Sequence, residues 1–289
     1  MPDNDTKFDY VIVGGGSAGC LLANRLSSEP KNRVLLLEAG KKDSYPWIHI
    51  PVGYLYCIGN PRTDWMYNTE PEQGLNGRSQ RYPRGKTLGG CSSINGMIYM
   101  RGQARDYENW AKLSGDETWN WEHALNAFKA HENHYRLDNC ADPITGNNSS
   151  FSDLHGHGGE WRIEKQRLRW DVLDSFVEAA AEMGIEKTDD FNNGDNAGVG
   201  YFDVNQRSGW RWSASKAFLR PVQSRPNLTV WTEAHVERLN FKVDLDGAVR
   251  CYGVTIQHKG VAIQVEALQE VILSAGAVNS PQILQLSGI

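Results

Sequence analysis

The sequence predicts a mixed α/β fold, with α/β and α+β character, built on a β-turn-α unit near the N-terminus. Three observations support this: a short apolar strand at 10–13, three glycines at GxGxxG spacing directly after it, and an amphipathic helix at 17–28. A second apolar strand at 33–37 then places Glu38 24 residues after the first glycine of the motif. This order of elements is more specific than the glycine motif alone, and it indicates a Rossmann-like dinucleotide-binding unit.

Each glycine of the motif has its own predicted part in binding. Gly14 makes the tight turn off the strand, Gly16 lets the backbone approach a pyrophosphate, and Gly19 lets the helix pack close to the sheet. The first-turn N–H groups of the helix, from Ser17 onward, have no partners within the helix and favour an anion. The carboxylate of Glu38 can accept both hydroxyls of an adenosine ribose and would repel a 2′-phosphate, which leaves NAD or FAD.

The composition limits which classes of binding partner the protein can have. The 289 residues, 40% of them hydrophobic, suffice for two domains or one elaborated domain, and the formal charge of -5 gives no reason to expect nucleic acid as a partner. No apolar run approaches the roughly 20 residues that a transmembrane helix needs. The polar N-terminus and five scattered cysteines, none in CxxC spacing, are typical of a reducing compartment. We therefore expect a cytoplasmic protein, with peripheral association at the inner membrane left open.

A second glycine-rich stretch lies at 84–102, RGKTLGGCSSINGMIYMRG. Its glycines permit close backbone approach, and Arg84 supplies a positive charge suited to a diphosphate. As a bare pattern it fits an ordinary loop equally well, but together with the first motif it predicts the other half of a nucleotide clamp. The turn-rich segment 41–79 contains Trp65, which fits either a core aromatic or an apolar wall beside an adenine ring.

The stretch GKTLGGCSSIN at 85–95 resembles the first signature of the glucose–methanol–choline (GMC) oxidoreductases, flavoproteins that oxidise alcohols. AGAVNSPQILQLSGI at 275–289 resembles their second signature, and the lead-in GGGSAGCLLANRLS with LLLEAG is also similar. The resemblance fits the branch of choline dehydrogenase and aliphatic alcohol dehydrogenases, and it implies FAD rather than NAD. Choline oxidase-like members have a histidine bound covalently to the flavin where this chain has Ile94, so the resemblance implies non-covalent FAD.

The resemblance also implies a function, which is oxidation of a primary alcohol to an aldehyde by hydride transfer to flavin N5. The substrate would be a small-molecule alcohol, and a quinone, a dye or oxygen would accept the electrons. In the family the catalytic histidine lies in a C-terminal half beyond this chain, so we expect no catalytic residue here and an inactive fragment. Two alternatives stay open: an NAD-dependent dehydrogenase, and an FAD-binding fragment or subunit completed by a second polypeptide.

The resemblance divides the chain into an FAD-binding domain at 1–154, a partial substrate-binding domain at 155–225 and a second part of the FAD-binding domain at 226–289. The turn-rich segment 140–152 marks the first boundary. The last part is predicted as an antiparallel meander with strands at 228–232, 236–243, 249–257 and 261–267, a buried strand at 271–276, and a helix from Asn279.

Asn95 is expected to be the main polar contact to the flavin, and the backbone of Val236 is expected to meet the adenine edge. His155-x-His157 lacks a cluster that would complete a metal site, so no metal is expected. The predicted cofactor-binding residues, from the motifs and the resemblance together, are Gly14, Gly16, Ser17, Ala18, Gly19, Glu38, Ala39, Trp65, Arg84, Gly89, Gly90, Ser92, Asn95, Gly96, Met97, Ile98, Val236, Ala275 and Gly276.

Overall fold

The computed structural model describes residues 6–138, 149–245 and 247–289. Most of the predicted boundary segment, at 140–148, lies outside these described residues. The described chain divides into two compact units: the first runs up to Gly96 and from Ser213 onward, and the second is Met97–Trp212. These units differ in extent from the domains predicted at 1–154, 155–225 and 226–289. Which domain binds cofactor and which binds substrate stays a prediction.

The strands and α-helices of the described residues have the following bounds. The strands are β1 (Lys7–Val13), β2 (Val34–Glu38), β3 (Tyr67–Asn68), β4 (Arg81–Tyr82), β5 (Glu132–His134), β6 (Trp161–Lys165), β7 (Asp203–Val204), β8 (Gln206–Arg207), β9 (Trp210–Arg211), β10 (Leu228–Thr232), β11 (Ala234–Val243), β12 (Val249–His258) and β13 (Val261–Leu273). The α-helices are α1 (Ser17–Leu26), α2 (Pro46–His49), α3 (Tyr54–Cys57), α4 (Ala104–Ser114), α5 (Trp121–His131), α6 (Ser149–Leu154), α7 (Asp171–Glu182) and α8 (Gly276–Leu286).

A six-stranded sheet organises the first unit, in the order β10-β2-β1-β13-β12-β11. The pairs β10–β2, β2–β1 and β1–β13 are parallel, and β11, β12 and β13 form an antiparallel meander. All five residues of β2 are buried, as expected of a parallel strand covered on both faces. The predicted mixed α/β fold is confirmed. The predicted meander holds for β11, β12 and β13, but the strand predicted with them at 228–232 is β10, which pairs in parallel with β2.

One strand replaces two in the last part of the chain. The strand predicted at 261–267 and the first three residues of the one predicted at 271–276 belong to the single strand β13, which ends at Leu273. It pairs with β12 as far as Glu266 and with β1 from Glu266 to Leu273. The exchange of neighbours at Glu266 explains why the apolar pattern changes there. Helix α8 begins at Gly276, three residues before the predicted start at Asn279.

The apolar core of the first unit joins the sheet to α8. Leu35 and Leu37 of β2 pack with Val254 and Ile256 of β12, and Ile283 of α8 joins the same cluster. Burial of side chains of this size contributes about 1.5–3 kcal/mol each relative to exposure. Among the described helices, none combines the length and the apolar run that crossing a bilayer requires.

The second unit is built around β5, β6 and β7 and contains a buried ionic network. The guanidinium of Arg101 donates to Glu132, while His155 bonds to Glu132 at 3.0 Å through Nδ1 and to Asp190 at 3.1 Å through Nε2. Although burial opposes the charge, the hydrogen bond from His155 and the charge of Arg101 hold the pKa of Glu132 below its ordinary value. Arg101 also donates to the Leu154 carbonyl at 2.7 Å.

Removing the Glu132 charge should destabilise the second unit strongly. Glu132→Gln leaves Arg101 and His155 buried without their carboxylate, a loss of about 3–5 kcal/mol in the free energy of unfolding. The matched control is Glu178→Gln, because Glu178 pairs with Lys187 at 2.5 Å on an exposed surface, where the expected loss is at most about 1 kcal/mol. Urea unfolding of both variants measures the difference, and equal losses would contradict this account.

Candidate functional site

The first unit forms a cavity of about 390 Å³ where β1 and β2 end, and it is lined by the first turns of α1 and α8. It brings together distant parts of the chain, from the first turn to the second signature. The predicted cofactor-binding residues that line it are Gly14, Gly16, Ser17, Ala18, Glu38, Ala39, Trp65, Arg84, Gly90, Val236, Ala275 and Gly276.

The other predicted residues do not line this cavity. Gly19 lies behind the first turn, Gly89 donates its N–H to the Gly15 carbonyl at 2.7 Å, and the Ser92 hydroxyl is buried against the Ala214 N–H at 2.9 Å. These positions support the walls of the cavity. Asn95 and Gly96 are exposed on the first unit, and Met97 and Ile98 belong to the second. Ligand contact stays a prediction for both sets.

Motif reasoning missed several lining residues. Asn279 and Gln282 lie within the second signature and could have been found by placing the helix start earlier. Cys91 lies within the first signature, so the same reasoning could have named it as a lining residue. His235 offers no motif signal, because only the pairing of β11 in the sheet turns its side chain toward Trp65, with 5.9 Å between ring centroids.

Backbone contact shapes the first turn. Gly14 has φ of +101°, and a Cβ there would lie 2.6 Å from the Ala275 Cα. A Cβ at Gly19 would lie 1.9 Å from the Gly14 carbonyl oxygen. At Gly16, by contrast, the nearest atom to a Cβ would be the Gly90 Cα at 3.9 Å, so this position opens into the cavity. The packing of the fold therefore requires glycine at positions 14 and 19, whereas the space beside Gly16 can accommodate a ligand.

Two helices begin at the cavity. Helix α1 starts at Ser17 and α8 at Gly276, and neither has a side-chain hydrogen bond capping its N-terminus. Both first turns line the cavity. Unpaired N–H groups and the positive end of the helix dipole favour a bound anion, so the two N-termini together suit a diphosphate.

Glu38 is buried at the end of β2. Its Oε2 accepts the Gly15 N–H at 2.9 Å, and its Oε1 accepts the Gly40 N–H at 2.8 Å. Burial raises the pKa of Glu38 to about 7, against the lowering effect of these two bonds and of Lys86. A carboxylate has about four lone-pair sites, and two stay available for the two hydroxyls of a ribose.

Trp65 lines the cavity and contacts two neighbouring side chains. The Lys86 Nζ lies 4.4 Å from its ring centroid, and Tyr67 stacks on it at 5.8 Å with an interplanar angle of 9°. Burial and the charge of Lys86 lower the pKa of His235 beside it. Trp65 is half-buried and lines the cavity, which favours the wall interpretation over the core interpretation.

One group of potential metal ligands occurs among the described residues, in the second unit: Glu132, His134 and His155. The guanidinium of Arg101 supplies a positive charge at this cluster, because it bonds to Glu132 and lies 3.4 Å from the His155 Nδ1. The second histidine of the His-x-His pair, His157, is half-exposed beside Asp138. The ion pairs therefore account for this cluster without a metal.

Comparison with known proteins places this site in a family. The model of the GMC oxidoreductase family matches residues 8–289. An alcohol dehydrogenase [acceptor] of Pseudomonas putida is 43% identical over 284 residues, which are 98% of this chain and 48% of the relative. An oxygen-dependent choline dehydrogenase of Staphylococcus xylosus is 43% identical over 286 residues, with the same two shares. The chain spans about half the length of the curated relatives it matches.

Solved structures agree with the sequence comparison. Pyridoxine 4-oxidase from Mesorbium loti superposes with a TM-score of 0.87 and 36% identity, covering 98% of this chain and 52% of the other. A formate oxidase of Aspergillus oryzae, studied for FAD modification, gives a TM-score of 0.83 and 29% identity over 98% and 48%. Because the family model matches nearly the whole chain, the chain belongs to the GMC oxidoreductase family.

Proposed function

We propose that this chain binds FAD non-covalently and forms the flavin-binding part of an enzyme that oxidises a primary alcohol to an aldehyde. The observation that carries the proposal is the convergence of two uncapped helix N-termini and the buried Glu38 on one cavity. The names of the relatives, which act on alcohols and choline, support the alcohol as substrate class.

The residues present fit FAD. The open space at Gly16 admits a diphosphate close to the backbone, and the N–H groups of α1 and α8 supply donors to it. Glu38 offers its remaining lone pairs to the adenosine ribose. Arg84 lines the same cavity and adds a positive charge.

When bound, the flavin supplies the acceptor for the hydride that leaves the alcohol carbon. This chain binds and orients the cofactor, and we assign no catalytic base to it. The alcohol, the electron acceptor, a second polypeptide and a cytoplasmic location stay predictions. The NAD-dependent alternative gains no support from the comparisons, because the matching family is that of the GMC oxidoreductases.

A pair of glycine substitutions tests the proposed cradle. Gly16→Ala places a methyl group in the cavity at a φ of −78°, open to any residue, so we expect stability within about 0.5 kcal/mol and FAD affinity at least tenfold weaker. Gly19→Ala drives its methyl group into the Gly14 carbonyl, which should cost about 1–3 kcal/mol of stability. Thermal unfolding and flavin fluorescence titration measure the two effects. Unchanged FAD affinity in Gly16→Ala would count against the proposal.

Glu38→Ala should weaken FAD retention, because it removes the acceptor for the ribose hydroxyls and the partner of the Gly15 N–H. The visible absorbance of flavin per chain after purification measures retention, and NAD added to the same protein serves as the control ligand. Unchanged flavin content would overturn the ribose assignment. Binding of NAD in place of FAD would revive the nicotinamide alternative.

A further inference from the structure

Asn279 lies at the end of the first turn of α8 and lines the cavity. Its side-chain oxygen accepts a hydrogen bond from the Tyr67 hydroxyl at 2.5 Å. This separation fits an O–H···O bond and is too short for a bond from an amide nitrogen. The contact joins β3 to α8 across 212 positions of the sequence. Tyr67 therefore sets the orientation of the Asn279 amide.

The other end of this amide carries hydrogen-bond donors. An asparagine side chain has one acceptor oxygen and an NH₂ group with two donors, and the oxygen of Asn279 already accepts the Tyr67 hydroxyl. Within the described part of the chain the Asn279 NH₂ group has no hydrogen-bond partner, and it is not one of the buried atoms that lack one. Two accessible donors therefore lie on a residue that lines the cavity.

Tyr67 also contacts the aromatic wall of the cavity. Its ring stacks on Trp65 with 5.8 Å between centroids and an interplanar angle of 9°, and the Trp65 ring lies 5.9 Å from the His235 ring. Trp65 and His235 both line the cavity, whereas Tyr67 does not. Tyr67 thus connects Trp65 to Asn279 without lining the cavity itself.

The surroundings of Asn279 indicate which part of a bound FAD it would meet. On α8 it follows the uncapped N-terminus at Gly276, which favours a diphosphate. Through Tyr67 it is linked to Trp65, the aromatic wall suited to an adenine ring. Both features suit the ADP half of FAD, whose phosphate oxygens, ribose oxygens and adenine nitrogens accept hydrogen bonds.

We propose that Asn279 is a cofactor-binding residue that donates a hydrogen bond to the ADP half of FAD, and that Tyr67 is a positioning residue that orients the Asn279 amide for this bond. The inference rests on the proposed function, because the ligand is FAD. An amide that is already oriented loses less side-chain entropy when the ligand binds.

The test compares four variants of the chain by calorimetric titration with FAD and with ADP. Tyr67→Phe removes only the hydroxyl and keeps the ring that stacks on Trp65, Asn279→Ala removes the amide, and a double variant combines the two changes. The matched control is Gln285→Ala, which removes an exposed amide from the same helix outside the cavity. Thermal unfolding without ligand shows whether each variant is folded, and Asn279→Leu, which keeps the side-chain volume, replaces Asn279→Ala if alanine lowers the unfolding temperature.

We expect Asn279→Ala to bind both FAD and ADP about tenfold more weakly, as the loss of one hydrogen bond to the ligand predicts. Tyr67→Phe should bind both ligands about threefold more weakly, because the amide keeps its donors and loses only its fixed orientation. The double variant should bind as Asn279→Ala does, since Tyr67 acts through Asn279. Gln285→Ala should keep the wild-type affinities.

The outcomes separate the two proposals. A wild-type chain that bound no FAD would overturn the proposed function. A chain whose FAD affinity was unchanged in Asn279→Ala would overturn the role of Asn279 alone. Weaker binding of FAD with absent or unchanged binding of ADP would overturn the assignment to the ADP half. Losses that add up in the double variant would overturn the positioning role of Tyr67, because the two residues would then act independently.

Discussion

The two hydrogen bonds from the Gly15 and Gly40 amides to the buried carboxylate of Glu38 fix the first turn to the end of β2. The arrangement has a cost: raising the pKa of a carboxyl from 4.5 to about 7 corresponds to about 3 kcal/mol against the charged form. A neutral apolar residue there would avoid this cost. The carboxylate is thus better explained by what it offers the cavity than by its contribution to folding.

Two helix N-termini present backbone N–H groups to the cavity. The turn at Gly14 packs against Ala275, so the starts of α1 and α8 reach the same space. Gly90 packs against Gly16 with equal closeness, since a Cβ at Gly90 would lie 2.8 Å from the Gly16 Cα. Helix dipoles and N–H groups held in this way need no rearrangement when a ligand arrives. Arg84 then adds its charge to the positive electrostatic potential of the two helix N-termini.

The first turn was predictable from sequence because it depends on local backbone requirements. Features that depend on contacts between distant strands were not predictable in this way. The glycine spacing indicates where the backbone has no room for a side chain. Gly14, Gly16 and Gly19 could therefore be given separate roles, and the structure shows different surroundings for each of them. Trp65 could not be assigned, because core and wall positions demand the same residue type. His235 left no signal at all, since its orientation depends on the β11–β12 pairing across 22 positions to Gln257. Gly276 of the second signature lines the cavity, and α8 begins there rather than at Asn279.

Hydrogen bonds between distant parts of the chain surround Arg101 in the compact second unit, Met97–Trp212. Arg101 donates to Glu132 and to the Leu154 carbonyl, and the Asn192 side chain accepts the Arg101 N–H at 2.8 Å. The bonds to Leu154 and Asn192 join Arg101 to parts of the chain on either side of residue 155. Composition and turn content mark where a chain is irregular, but they carry no information about such pairs. A buried Arg needs its partners wherever they lie in sequence.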